Sequence, residues 1–242
     1  MVFSTVSFLF VFLPAFLLSY AVLPWKNLTA LAFSLLFFSW GEGTYLALLL
    51  GSIGLNYFVG LSLGEKFRYR RLALALGIAA NLTILGYYKY FGFLLAEVFS
   101  LSAPANEIPH LPLGISFFTF QAMSYLIDVY RGDTPRARSF FDLALYIAMF
   151  PQLIAGPIVR YSTVALALRE RRVTSYDIYR GGFLFVIGLS YKTLIANNCA
   201  IVADAAFAKV AVGLASSEAW LGIIAYSLQI FFDFAGYSLM AI

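Results

Sequence analysis

Three stretches of the chain, residues 1–25, 43–64 and 108–127, contain no Asp, Glu, Lys or Arg. A membrane-spanning helix needs roughly 20 predominantly apolar residues, so each stretch is long enough to cross a bilayer. Composition agrees. Of 242 residues, 62% are apolar and only 12% are charged, about half the charge a soluble domain carries. A soluble globular enzyme, a disordered chain and a nucleic-acid binder are excluded. The fold class is all-α, a polytopic transmembrane helical protein.

Run length and flanking charge place spans at 3–23, 28–40, 43–63, 72–98, 112–130, 181–198 and 219–238. The fourth is expected to kink or break near Gly86. The apolar start, without the basic head of a cleavable signal, reads as a retained first span. Positive charge sets orientation. Arg68, Arg70 and Arg71, with Lys66, fall in one loop, and Arg131, Arg136 and Arg138 in another. Both loops are assigned to the cytoplasm, which puts the N-terminus outside.

Residues 140–158 break the alternation. They are apolar, with Asp142 the lone charge, yet Arg160, Arg169, Arg171, Arg172 and Arg180 follow. Both flanks then read as cytoplasmic, and a re-entrant segment near 140–158 satisfies them. Phe150-Pro151-Gln152-Leu153-Ile154-Ala155-Gly156-Pro157 supports an interrupted helix, because proline removes a backbone donor. Broken backbone at membrane depth persists only where protein or a water-filled cavity covers it. A proline-kinked span is the alternative. Residues 160–172, basic at both ends and apolar between, suit a helix lying on an anionic leaflet or a solvated loop helix.

Ionisable side chains inside spans cost roughly 2.5–3.5 kcal/mol on insertion scales and tend to face a cavity or a partner. Lys89, Asp128, Lys192 and Asp233 are of this kind. The lysines are long enough to snorkel to the interface, and Asp128 lies beside Arg131. Asp233 is too short to snorkel. Gln229, Asp233 and Tyr237 repeat at four-residue intervals and share one helical face. This polar stripe either lines a cavity or joins two helices by hydrogen bonds. His110, the lone histidine, reads as a surface-loop residue, and Cys199, the lone cysteine, as a small buried one. No disulfide, CxxC or multi-histidine metal site is available. No P-loop, G-x-S-x-G elbow or HExxH is read.

The segments singled out in this way carry a resemblance. Leu113-Gly114-Ile115-Ser116-Phe117-Phe118-Thr119-Phe120-Gln121, continued by Tyr125 to Arg131, resembles the first characteristic block of the membrane-bound O-acyltransferases. Phe150 to Tyr161 resembles the second block, and Gln229 to Ala241 the third. The likeness is strongest to the alginate O-acetyltransferase branch, which in turn resembles the teichoic-acid D-alanyl transfer proteins. The third block departs at one point, with Leu239 where the branch has an acidic residue.

The resemblance implies a ring of helices with a thinned centre, through which a cytoplasmic acyl donor meets an acceptor from the other side. It implies an acetyl donor such as acetyl-CoA as substrate and no bound cofactor. It further implies an inner-membrane location and periplasmic proteins that complete transfer to a polysaccharide hydroxyl. The family histidine is expected beyond Ile242, so 1–242 reads as the N-terminal part of such a domain, inactive by itself. The residues expected to line or support the cavity are Gln152, Arg160, Gln229, Asp233 and Tyr237, with Arg160 placed to attract coenzyme A phosphates. A transporter or pore, and a non-catalytic scaffold, are the rival readings.

Overall fold

In the computed structural model, the described residues are 3–64, 67–98, 109–153, 159–168, 173–210 and 213–241. They are helical throughout and divide into two compact units. The first holds Ala15–Ile154 and Ile158–Arg171, the second Val2–Pro14 and Arg172–Ile242.

A π-helical turn at Phe8–Phe12 lies in the second unit, and from Ala15 on α1 (Leu13–Val22) lies in the first. Next come α2 (Lys26–Glu42) and α3 (Leu46–Leu61), joined by a 3-10 turn at Gly43–Tyr45. As one rod this run would be about 54 Å long, far beyond a hydrocarbon core of about 30 Å. The backbone turns at Glu42, whose φ of −142° and ψ of 48° leave the helical region, giving the two separate elements expected at 28–40 and 43–63. By contrast, α4 (Arg70–Phe93) runs through Gly86 without a break and ends in a π-helical segment, Leu94–Val98. No break occurs at Gly86, because glycine in a helix removes no hydrogen bond, unlike proline.

The helix α5 (Ile115–Arg131) occupies the expected fifth span but is only 17 residues long. Phe118, Gln121, Ala122, Tyr125, Leu126 and Asp128 are all buried. It forms the centre of the first unit, packed by α3, α4, α6 and α8. Its N-cap, Gly114, has a φ of +73°. A Cβ there would also collide with the Leu153 carbonyl, so both the backbone angle and the close approach require glycine.

The interrupted segment follows. Ser139 caps α6 (Phe140–Ala148) by accepting a hydrogen bond from the Asp142 amide. Leu143 through Ala148 are at most 1% exposed. The helix ends at Met149, with φ −54° and ψ 112°, and the four-residue α7 (Phe150–Leu153) begins. The break therefore precedes Pro151, which sits in the first turn of α7, where its missing donor does no harm. At nine residues, α6 is about 14 Å long and cannot cross a bilayer. Tyr146 Oη donates to the Val159 carbonyl at 2.8 Å. Protein covers this broken helix, from α2, α3, α5 and α8 (Tyr161–Ala167). Residues 154–158 and 169–172, parts of the second block and of the basic helix, lie outside the described residues. The α8 helix packs inward through Tyr161, which is 1% exposed, so it is not a freely solvated loop helix.

The second unit contains α9 (Ser175–Ser190), a π-helical segment at Tyr191–Ala196, α10 (Asn197–Phe207) and α11 (Ser216–Ala241). Thr174 and Asp177 form a reciprocal capping box at the start of α9, satisfying two otherwise orphaned donors.

Among the described residues, four runs are long and apolar enough to cross a membrane: Lys26–Leu61, Arg70–Phe93, Ser175–Phe207 and Ser216–Ala241. Only 11% of the most apolar window of Ser175–Phe207 is covered by protein, and Leu194, Ile201, Ile223 and Phe231 project outward. Water would not tolerate so much uncovered apolar surface. The chain is a multi-pass membrane protein. Its interior is then held less by hydrophobic burial, since lipid is equally apolar, than by close packing and buried hydrogen bonds. Asn56 and Asn81 supply one such contact. Each amide donates to the other's carbonyl oxygen, at 3.1 and 2.8 Å, between α3 and α4.

Candidate functional site

Because α11 is unbroken from Ser216 to Ala241, Gln229, Asp233 and Tyr237 do share a face. What that face meets is set by two glycines. A Cβ on Gly188 would lie 2.5 Å from the Gly236 carbonyl oxygen, and one on Gly236 would lie 2.7 Å from that of Gly188. Glycine at both positions lets the backbones of α9 and α11 touch, as small residues do at membrane-helix crossings. Leu239 also lies at this crossing, its Cβ 3.0 Å from the same point beside Gly188, and so fills a packed apolar position.

One turn beyond Gly188 the helix widens into its π-helical segment, a distortion that often marks functional sites. Lys192 is its second residue. Lys192 Nζ lies 2.6 Å from Asp233 Oδ1 and 5.7 Å from the centre of the Tyr237 ring. The two charged side chains keep only 18% and 30% of their exposure. The contact is an ion pair and not a well-directed hydrogen bond, for no donor is aligned on the buried Asp233 Oδ1. Gln229 Oε1, also buried, likewise lacks a donor among the described residues. Neighbouring polar residues are self-contained. Ser190, Thr193 and Asn198 each donate to the carbonyl four residues earlier in their own helix. The stripe therefore joins two helices and still retains polar atoms that are not internally consumed.

The partner of Asp233 is the feature the sequence reading missed. It treated Lys192 as a residue free to snorkel, yet its ammonium group turns inward to the carboxylate. The available signal was the joint cost of two opposite charges in apolar helices, which pairing reduces.

Gln152 and Arg160 belong to the first unit. Gln152 Oε1 is buried without a donor among the described residues, whereas Arg160 is exposed. Nearby lies a denser polar cluster built from the first two blocks. Gln121 Nε2 donates to the Tyr146 carbonyl at 2.6 Å, and Tyr125 Oη accepts from the Ala137 amide at 3.1 Å. The Tyr161 ring sits 5.0 Å from Tyr125 and 5.1 Å from Tyr146. Asp128 is 4% exposed, with Oδ2 unpartnered among the described residues. Its position beside Arg131 in the sequence did not show this burial. An open, mostly apolar recess of about 740 Å³ is lined by Trp25, Lys26, Leu31, Phe141 and Leu168, and neither Gln152 nor Arg160 lines it.

His110 Nε2 lies 3.5 Å from Glu42 and its side chain is 71% exposed, in keeping with a surface role. Gly60-Leu61-Ser62-Leu63-Gly64 does have G-x-S-x-G spacing, but it closes α3, and Ser62 Oγ donates to the Phe58 carbonyl. Among the described residues, no three His, Cys, Asp or Glu side chains gather as a metal site.

Comparison with known proteins decides the lineage. The whole chain is 41% identical to a probable alginate O-acetylase of Pseudomonas syringae, covering 48% of that protein. The chain is similar, over its whole length, to about half the length of bacterial proteins named for O-acetylation. It is also 37% identical, again over its whole length, to a peptidoglycan O-acetyltransferase of Helicobacter pylori, covering 53% of it. A teichoic acid D-alanyltransferase of Bacillus subtilis is 28% identical over 55% of the chain, covering 36% of that protein. No family model matches. The similarity runs along the whole of this chain, which spans about half the length of the first two relatives.

Proposed function

We propose that this chain is part of a membrane-embedded O-acetyltransferase that acetylates hydroxyl groups of an exported, alginate-like polysaccharide. Similarity along the whole chain to relatives named for acetylating two different polymers supports the reaction class. The observation that carries the reading within the chain is the Lys192–Asp233 pair, set with Gln229 and Tyr237 in two apolar helices. Acyl transfer needs a proton acceptor for the attacking hydroxyl and positive or hydrogen-bonding groups for the developing oxyanion. The pair anchors one charge of each sign where lipid would admit neither alone.

In this reading the donor is a cytoplasmic acetyl thioester such as acetyl-CoA, with exposed Arg160 drawing its phosphates by charge-assisted contact. The hydroxyl oxygen attacks the thioester carbonyl, the carbon–sulfur bond breaks, and the thiol leaves with the proton. The base is assigned to the family histidine outside residues 1–242. The protein sits in the bacterial inner membrane with its N-terminus outside, and periplasmic proteins complete delivery.

The test uses inverted membrane vesicles of the full-length protein, loaded inside with acceptor polysaccharide and supplied outside with labelled acetyl-CoA. Label should appear on the polymer as alkali-labile ester, and Asp233→Asn should lose most of it at normal expression. Solute flux without ester formation would instead favour a transporter.

A further inference from the structure

The two basic loops of the first unit are far apart in sequence but joined in the fold. The Arg70 guanidinium donates to the Tyr130 carbonyl at the end of α5 and lies 4.6 Å from the centre of the Tyr130 ring. A cation suits that position, because the end of a helix carries unsatisfied carbonyls and partial negative charge. Arg136 reaches the Leu61 carbonyl at the end of α3 (3.5 Å). The Ala137 amide is bound by Tyr125 Oη, the atom a Cβ on Gly60 would meet at 2.6 Å. The end of α3, the start of α4, the end of α5 and the loop into α6 are thereby fixed together.

The same framework leaves Arg68, Arg71, Arg131 and Arg138 exposed, none of them ion-paired with a described residue. Asp133 is the lone acid among the described residues of these loops. Between the arginines, Phe67, Tyr69 and Leu72 are 45%, 59% and 57% exposed. The surface lies where the membrane-crossing runs Lys26–Leu61 and Arg70–Phe93 end and begin, at the depth of lipid head groups. Guanidinium groups recognise phosphate oxygens in paired geometry, and the interleaved aromatic side chains suit the same interfacial layer.

We propose that this arginine surface is a seat for anionic phospholipid head groups, independent of any acyl-transfer activity. The positions are held by protein contacts rather than by floppy loops, so binding spends little on ordering.

The purified chain in neutral detergent would be given phosphatidylglycerol, phosphatidylcholine or inorganic pyrophosphate. Thermal unfolding and native mass spectrometry would follow each. Phosphatidylglycerol should raise the unfolding midpoint and remain bound, and phosphatidylcholine should do neither. Removing exposed arginines as R68Q, R71Q, R131Q and R138Q, with Arg70 kept for its structural contacts, should weaken lipid retention about fivefold per arginine. Equal retention by wild type and the fourfold variant would overturn the proposal, as would no effect of phosphatidylglycerol on wild type. Pyrophosphate reproducing the shift while phosphatidylglycerol does nothing beyond phosphatidylcholine would overturn it in favour of a soluble phosphate ligand. If the fourfold variant unfolds early, lipid retention by R131Q and R138Q singly, each expected to drop, decides the matter.

Discussion

Lys192 Nζ lies 2.6 Å from Asp233 Oδ1, joining residues on two membrane-crossing helices. Removing one partner strands the other in a low-dielectric setting, which costs 3–5 kcal/mol for a fully buried pair. Here both side chains keep some exposure, so Lys192→Met or Asp233→Asn is expected to cost about 2 kcal/mol. The double variant should recover most of that loss. Thermal unfolding in detergent, analysed as a double-mutant cycle, measures the coupling. Independent, additive effects would show that the pair contributes nothing. If the pair serves acyl transfer, the double variant regains stability without regaining activity.

Gly188 and Gly51 separate crowding from helix propensity. A Cβ on Gly188 meets the Gly236 carbonyl oxygen at 2.5 Å, while one on Gly51 meets nothing within 4 Å. Gly188→Ala should therefore lower the unfolding midpoint by several degrees by prising α9 from α11. Gly51→Ala should be neutral or stabilising by about 0.5–1 kcal/mol. An equal response of both variants in a melting assay would refute the close crossing.

The reciprocal amides of Asn56 and Asn81 predict a third outcome. Asn56→Leu leaves the Asn81 side chain short of its cross-helix partner, and should destabilise by about 0.6–1.7 kcal/mol, the range of interhelical hydrogen bonds in membranes. The variant with leucine at both positions should be less affected than either single one. Chemical unfolding in mixed micelles is the measurement, and a harmless Asn56→Leu would count against the bond.

Thr174 tests a helix start. Thr174→Ala removes the acceptor of the Asp177 amide bond and should weaken the first turn of α9 by about 1 kcal/mol. Faster hydrogen exchange is expected at residues 175–178, with no change in α11. Unaltered exchange there would dismiss the capping box.

Much of this was legible because it is local. Charge-free runs identify helices that must satisfy their backbone internally, and the spacing of Gln229, Asp233 and Tyr237 placed them on one face before any partner was known. Proline and glycine marked Phe150 to Pro157 as interrupted, although the observed break falls at Met149 because Pro151 is harmless in a first turn. Gly86 misled, since a glycine weakens a helix without removing a bond from it. Asp128 was placed beside Arg131, but its burial was not legible: α5 turns it into the first unit and leaves it 4% exposed.

By itself, then, the sequence determined that this is a multi-pass helical membrane protein, and its blocks pointed to the acyltransferase lineage. Transfer into lipid is a sum over consecutive residues, so the evidence for it lies along the chain. Tertiary structure alone decided that Lys192 faces Asp233, that Gly188 touches Gly236 and that Asn56 meets Asn81. Those contacts join residues 25 to 48 positions apart. Which face of one apolar helix meets which face of another is set by shape at the crossing, and hydropathy carries no record of it.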